Sequence, residues 1–199
     1  MAILPIYIYN QPVLRKKAKP IKSVDKKLVA FVDDMFETMH KANGIGLAAN
    51  QVGSLQRVLV IDVSDVVKER EEEENTNGED TPPEAKAPLV MVNPVVVLEE
   101  GEDAVEEGCL SIPDIREEVK RAEAIQVRYK NLQLQDKELF ADGLLARVIL
   151  HEIDHLNGVL FIDRLSKMKQ KLLRGRLNKI SKGEMEVGYP VVTEAVEAE

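Results

Sequence analysis

A chain of 199 residues with 44% apolar content is long enough to bury one core, and its net charge of −8 leaves it in the globular range. A single cysteine excludes an intramolecular disulfide, and the opening Met1-Ala2-Ile3-Leu4-Pro5 lacks the charged-then-apolar pattern of a secretory signal, so the expected location is the cytoplasm. No apolar run approaches the roughly 20 residues that span a bilayer, so no membrane partner is expected.

From residue 25 to 41, Leu28, Phe31, Val32, Met35, Phe36 and Met39 recur at helical spacing. Ser23 or Asp25 supplies the cap and Asn43-Gly44 the stop. The next stretch, Gly44-Ile45-Gly46-Leu47-Ala48-Ala49-Asn50-Gln51, is too rich in small residues for ordinary core and reads as a tight loop leading into a strand at 58–63. Residues 64–88 hold four consecutive glutamates, Asn77-Gly78 and Pro82-Pro83 with almost nothing to bury, the composition of an acidic, solvated surface loop. Strand patterns follow at 89–98, 104–105, 115–119, 124–129 and 132–134, and Asn93-Pro94 marks an edge or bulge in the first of them.

Between Asp142 and Leu156, the residues Leu145, Val148, Ile149 and Glu152 fall on helical repeats that Asn157-Gly158 terminates. A further helix is expected over 163–182 with an apolar stripe of Leu165, Met168, Leu172, Leu177 and Ile180, and 193–199 reads as an acidic, frayed tail. With no internal repeat and no linker, residues 1–199 are expected to form a single domain. The helix at 163–182 carries Arg164, Lys167, Lys169, Lys171, Arg174, Arg176, Lys179 and Lys182, with no acid from 164 onward. Such concentration of positive charge in an acidic chain suggests an anionic partner at one place.

The residues that carry chemistry are His151-Glu152-Ile153-Asp154-His155 and the lone cysteine in Glu107-Gly108-Cys109-Leu110-Ser111. On a helix, residues i and i+4 lie one above the other, so both imidazoles can reach one ion while Glu152 stays free as a base. Cys109 offers a third, thiolate ligand, and the fourth tetrahedral position is left for water, as in catalytic rather than closed sites. A divalent ion facing one thiolate and two neutral imidazoles keeps a net charge of about +1, which acidifies water and polarises a carbonyl. Amide hydrolysis follows naturally, with Glu152 passing a proton to the leaving amine. The backbone N–H of Leu110 and the side-chain amide of Gln51 are candidate oxyanion donors. Gly44 and Gly46 would let their loop approach an extended peptide closely, or adopt positive φ. His40, at a helix end, reads as a cap contact rather than a ligand.

Two other readings share part of this pattern. Zinc metallopeptidases use the same His-Glu-x-x-His, but most take a third ligand downstream as Glu or His, and residues 156–174 here offer only Asp163. A structural zinc module would explain the ligands and leave Glu152 and Gln51 without a purpose.

Three blocks in order, the Gly44 to Gln51 stretch, the Glu107 to Ser111 stretch and His151 to His155, resemble the peptide deformylase family, with similarity from the first helix to about Lys182. The resemblance implies an α+β fold in which antiparallel β-sheets surround a central metal-binding helix, with a C-terminal helix. It implies a hydrolase that removes the N-formyl group from the N-terminal formyl-methionine of nascent peptides and releases formate. Carried over by residue, Cys109, His151 and His155 hold the metal, Glu152 is general base and acid, and Gln51 with the Leu110 N–H holds the oxyanion. Ile45, Leu144 and Val148 would line a pocket for the methionine side chain, Gly46 would pair with the peptide backbone, and Arg116 would stand near the mouth. Asp154 would pair with Arg121, and Glu107 would orient a ligand histidine.

Family members typically use ferrous iron, with zinc or nickel also accommodated, and an iron–thiolate site implies loss of activity in air. The basic helix is similar to the family's C-terminal helix, which in some bacterial members docks on the ribosome, so rRNA is an implied partner. A monomer is expected. The acidic 64–88 stretch departs from the shorter members of the family.

Overall fold

Helix α1, Lys26–Lys41, begins where Asp25 accepts a hydrogen bond from the Leu28 N–H at 2.8 Å and ends where Asn43 takes φ 54°, in a computed structural model that describes residues 2–73 and 82–193. Its buried face of Leu28, Val32, Met35 and Met39 packs on Leu47, Val58 and Val60 of the sheet that follows. That sheet is antiparallel, in the order β2 (Gly46–Ala48), β3 (Val58–Ile61), β4 (Leu89–Glu100), β7 (Ala124–Lys130) and β8 (Asp136–Asp142). A second antiparallel pair, β5 (Asp103–Cys109) and β6 (Ile112–Arg121), is closed by the two-residue turn Leu110-Ser111. Near the two ends of the described residues, β1 (Ile6–Tyr7) runs parallel to β9 (Val191–Val192). The Asn93-Pro94 irregularity is a register shift between Val92 and Val95, with Asn93 at φ 54°.

Helix α3, Gly143–Leu156, lies at the centre, packed on β2, β3 and β8, and every residue from Leu145 to Leu156 is buried. A helix with Arg147, His151, Glu152, Asp154 and His155 all buried is tolerable only if each charge meets a partner. The architecture is therefore α+β, with antiparallel sheets around a central helix and a last helix, α4 (Lys167–Ser181), against β6.

Several sequence expectations fail. Ser64–Glu73 is a helix, α2, where the composition suggests a loop. Glu, Lys and Arg are good helix formers, so an acidic run signals solvent exposure without forbidding a helix. Asp62 accepts from the Ser64 N–H at its start, and Val67 packs on the core. Pro83–Ala85 forms a short 3-10 turn whose Ala85 is buried, while 74–81 falls outside the described residues.

Residues 132–134 are not a strand. Asn131 accepts from the Gln133 and Gln135 N–H groups, Leu134 takes φ 58°, and this turn delivers β8. That strand is hard to read because only Leu139 and Ala141 of its seven residues are buried.

The apolar stripe of the last helix also differs. Ser166 caps α4 by accepting from Lys169 N–H, and the buried face is Leu173, Leu177 and Ile180 at i, i+4 and i+7. Met168 and Leu172 face solvent, 72% and 74% exposed, and Leu165 precedes the helix. Of the tail, Thr193 is buried rather than frayed, and 194–199 falls outside the described residues.

Candidate active site

Two adjacent faces of α3 carry the site. Arg147, His151 and Asp154 follow one another at i, i+4 and i+7, and Val148, Glu152 and His155 do the same one position on. Cys109 ends β5, just before the turn, and its Sγ lies 3.2 Å from His155 Nε2. One donor atom each from Cys109, His151 and His155 lies within 4.8 Å of the others, and the cluster could hold one metal ion. A tetrahedral ion sets S and N donors about 2.0–2.3 Å from itself, hence within about 4 Å of each other, so the spacing suits a single ion.

The charges around this cluster are paired. Glu107 accepts from Arg121 Nη2 at 2.9 Å and Arg147 Nη1 at 2.9 Å, and its Oε2 lies 3.0 Å from His151 Nδ1. Arg121 reaches Asp154 at 2.7 Å, and Arg164 reaches the same carboxylate from outside at 2.7 Å. Burial opposes ionisation of Glu107, yet hydrogen bonds from His151 and Arg121 hold it down to about 2. Burial likewise opposes a charge on His151, but hydrogen bonds to Cys109 and Glu107 raise it to about 10. An environment that attracts a proton so strongly attracts a competing cation. His155 is pushed well below the usual range, by burial and then by the neighbouring His151, which leaves it neutral as a ligand must be.

Glu152 is 4% exposed, and burial lifts it to about 7 against the charge of His151. Its Oε2 is a buried polar atom with no hydrogen-bond partner among the described residues, as is His155 Nδ1. An orphaned carboxylate oxygen beside a three-donor cluster is the kind of strain that a bound ion and its water would relieve. Gln51, in a 3-10 turn after β2, accepts from the Ala48 N–H at 2.8 Å and directs its Nε2 at Ser111 Oγ, 3.3 Å, and Cys109 Sγ, 3.6 Å.

Neither Gly44 nor Gly46 has positive φ, so that one of their two expected uses does not apply. A Cβ on Gly46 would stand 2.5 Å from Glu152 Oε1 and 2.8 Å from Val148 Cγ1, and one on Gly44 would stand 2.8 Å from Leu110 Cδ1. These glycines make room for the site's own side chains.

A cleft of about 990 Å³ opens over the cluster. Ile45, Gly46, Gln51, Cys109, Leu110, Arg116, Leu144, Val148, His151 and Glu152 all border it, and His155 lies beneath, 1% exposed. Arg116 is exposed at the rim, 3.9 Å from Glu106. His40 stands apart from the cluster and meets Asp62 at 2.9 Å instead of capping its helix. Asp163, the one downstream acid a metallopeptidase could have used, accepts from the Leu160 N–H at 2.8 Å and from Arg15, away from the cluster.

Sequence reasoning missed Arg147, whose guanidinium also donates to the carbonyls of Val119 and Asp103 at 2.9 Å each. Its signal was a charge one turn before His151, inside the otherwise apolar run 144–150. It also missed Tyr189, which borders the cleft and donates to the Leu110 carbonyl at 2.9 Å. Nothing local marks that tyrosine, because its partner lies 79 residues away.

Residues 3–171 match the family model for polypeptide deformylase. The chain is 47% identical over 193 residues to a peptide deformylase of Salinibacter ruber, covering 96% of this chain and 95% of that protein. It is 42% identical over 192 residues to one from Chlorobium luteolum, covering 96% and 94%. Among solved structures, a peptide deformylase from Legionella pneumophila superposes with a TM-score of 0.78 at 38% identity, over 92% of this chain and 98% of that one. One from Ehrlichia chaffeensis in complex with actinonin gives 0.78 at 33% identity, over 94% and 100%.

Proposed function

This chain belongs to the polypeptide deformylase family, hydrolases that remove the N-formyl group from the N-terminal methionine of nascent peptides, and we propose that Cys109, His151 and His155 hold its metal ion and Glu152 moves the proton. The observation that carries this reading is the buried Glu152 carboxylate, with one oxygen unpartnered, beside a cysteine and two histidines whose donor atoms lie within 4.8 Å.

When bound, the ion supplies a Lewis acid that acidifies water and polarises the formyl carbonyl. Glu152 takes the proton released by the water and returns it to the departing amine. The Gln51 Nε2 and the Leu110 N–H donate to the oxygen on which charge develops. Ile45, Leu144 and Val148 form an apolar wall suited to a methionine side chain. Gly46, on the β2 end of the sheet, offers backbone groups to an extended peptide, and Arg116 guards the rim.

We assign ferrous iron as the resident ion, with zinc and nickel as alternatives that the same donors accept. Affinity order alone favours zinc over iron, so metal analysis after anaerobic purification decides between them. Exposure of the iron form to air should inactivate it through the thiolate. We further propose that residues 1–199 act as one domain, as a cytoplasmic monomer, and that the basic face of α4 docks on rRNA. Ribosome binding that is absent, or indifferent to salt, would refute the last point.

The test is formate release from formyl-Met-Ala-Ser by anaerobically purified, iron-loaded protein beside its Glu152→Ala variant. Rapid release by the parent, with at least a hundredfold loss in a variant that retains its metal, is the expected result. A folded, metal-loaded parent that releases no formate would overturn the reading. An active Glu152→Ala variant would overturn the role of the base.

A further inference from the structure

The turn Leu110-Ser111 is held from both ends of the chain. Ser111 gives its carbonyl to the Tyr9 N–H at 2.8 Å, and Leu110 gives its carbonyl to the Tyr189 hydroxyl at 2.9 Å. On the other side, Gln51 Nε2 reaches Ser111 Oγ and Cys109 Sγ. A two-residue turn has few backbone contacts of its own, since its outward N–H and C=O groups take no part in the ladder. Yet this turn follows a candidate metal ligand directly and carries a candidate oxyanion donor, where small misplacements are costly.

The arm that brings Tyr189 there is itself anchored. After α4 the chain turns back, and Val191–Val192 pairs with Ile6–Tyr7, with Pro190 accepting from the Ile6 N–H at 2.9 Å. Val187 and Tyr189 both border the cleft, so this returning arm forms part of its wall. The Tyr189 ring is half-buried and its hydroxyl points at the turn.

We propose that Tyr189 is a positioning residue for deformylation: its hydroxyl fixes the Leu110 carbonyl and so aims the Leu110 N–H at the developing oxyanion. The proposal rests on the deformylase reading above and on Leu110 as oxyanion donor. The effect belongs to the transition state, where charge on the oxygen is greatest, so it falls on turnover and spares substrate binding.

The test compares Tyr189→Phe, which keeps the ring and removes the donor, with the parent, both iron-loaded and anaerobic. One neutral hydrogen bond contributes on the order of a few-fold to tenfold in an equilibrium, so kcat should fall about three- to tenfold with KM and metal content unchanged and Tm lowered by no more than about 4 °C. In metal-free protein, amide hydrogen exchange of the segment 108–112 should quicken about fivefold, a readout independent of turnover. An unchanged kcat, or unchanged exchange in that segment, overturns the proposal. A raised KM with intact kcat also overturns it, because Tyr189 would then be touching substrate. A parent that releases no formate points to failure of the deformylase reading instead, and the exchange measurement still decides whether Tyr189 holds the turn.

Discussion

Glu107 and His151 meet at 3.0 Å, carboxylate Oε2 to imidazole Nδ1, in the buried interior between β5 and α3. The contact fixes which histidine nitrogen remains for a metal, namely Nε2, and raises the basicity of the ring. Glu107→Gln keeps the size of the side chain and removes its charge. Metal affinity should fall about 10- to 100-fold, read by competition with a chromophoric chelator. Unchanged affinity would mean that the ring is oriented by its packing on α3 alone.

The same carboxylate makes stability depend on acid. Its folded pKa of about 2 lies below the ordinary 4.5, because hydrogen bonds from His151 and Arg121 outweigh the cost of burial. A depressed carboxylate contributes stability that is complete above the unfolded value and lost as pH falls towards the folded one. On the order of 3 kcal/mol should therefore disappear between about pH 4.5 and 2. Urea denaturation of metal-free protein across that range should show the slope, and Glu107→Gln should flatten it.

Arg121 bridges Glu107 and Asp154 while only 4% exposed. Removing it as Arg121→Met leaves two buried carboxylates with fewer donors, although Arg147 and Arg164 still serve one each. Breaking a buried ion pair from one side typically costs 3–5 kcal/mol, and a loss near the lower end of about 3 kcal/mol is expected in chemical denaturation. A loss below about 1 kcal/mol would show that the two remaining arginines suffice.

Gly46→Ala tests the closeness of β2 to Glu152. The new methyl would collide with Glu152 Oε1 and Val148 Cγ1, and the carboxylate end is the part most able to move. Displacing a catalytic group by about 1 Å can cost roughly a hundredfold. Turnover should drop by about that factor while Tm changes little, and a variant with parental kcat would refute the crowding argument.

On α4 the two apolar faces should respond oppositely. Met168→Lys with Leu172→Lys should shift stability by less than about 0.5 kcal/mol, because both side chains already face solvent. Leu177→Ala, in the cluster with Ile115 and Val119, should cost about 2–5 kcal/mol. Equal effects from both changes would place the buried stripe wrongly.

What the sequence alone determined was local or ordered along the chain. The cap at Asp25, the stop at Asn43, the bulge at Asn93-Pro94 and the span of α3 were legible because capping, positive φ and helical spacing act over a few residues. The three motif blocks named the residues that border one cleft, and even the Glu107–His151 and Arg121–Asp154 pairs, through family resemblance. Tertiary structure decided what composition cannot encode. The α2 helix hid in an acidic run because charge reports exposure, and β8 hid because it lies at the edge of the sheet and buries only two residues in seven. Arg147 under Glu107, the parallel pairing of β1 with β9 and the reach of Tyr189 to Leu110 join segments 40 residues apart or more. Such contacts exist only after the chain has closed on itself, so no window of sequence carries them.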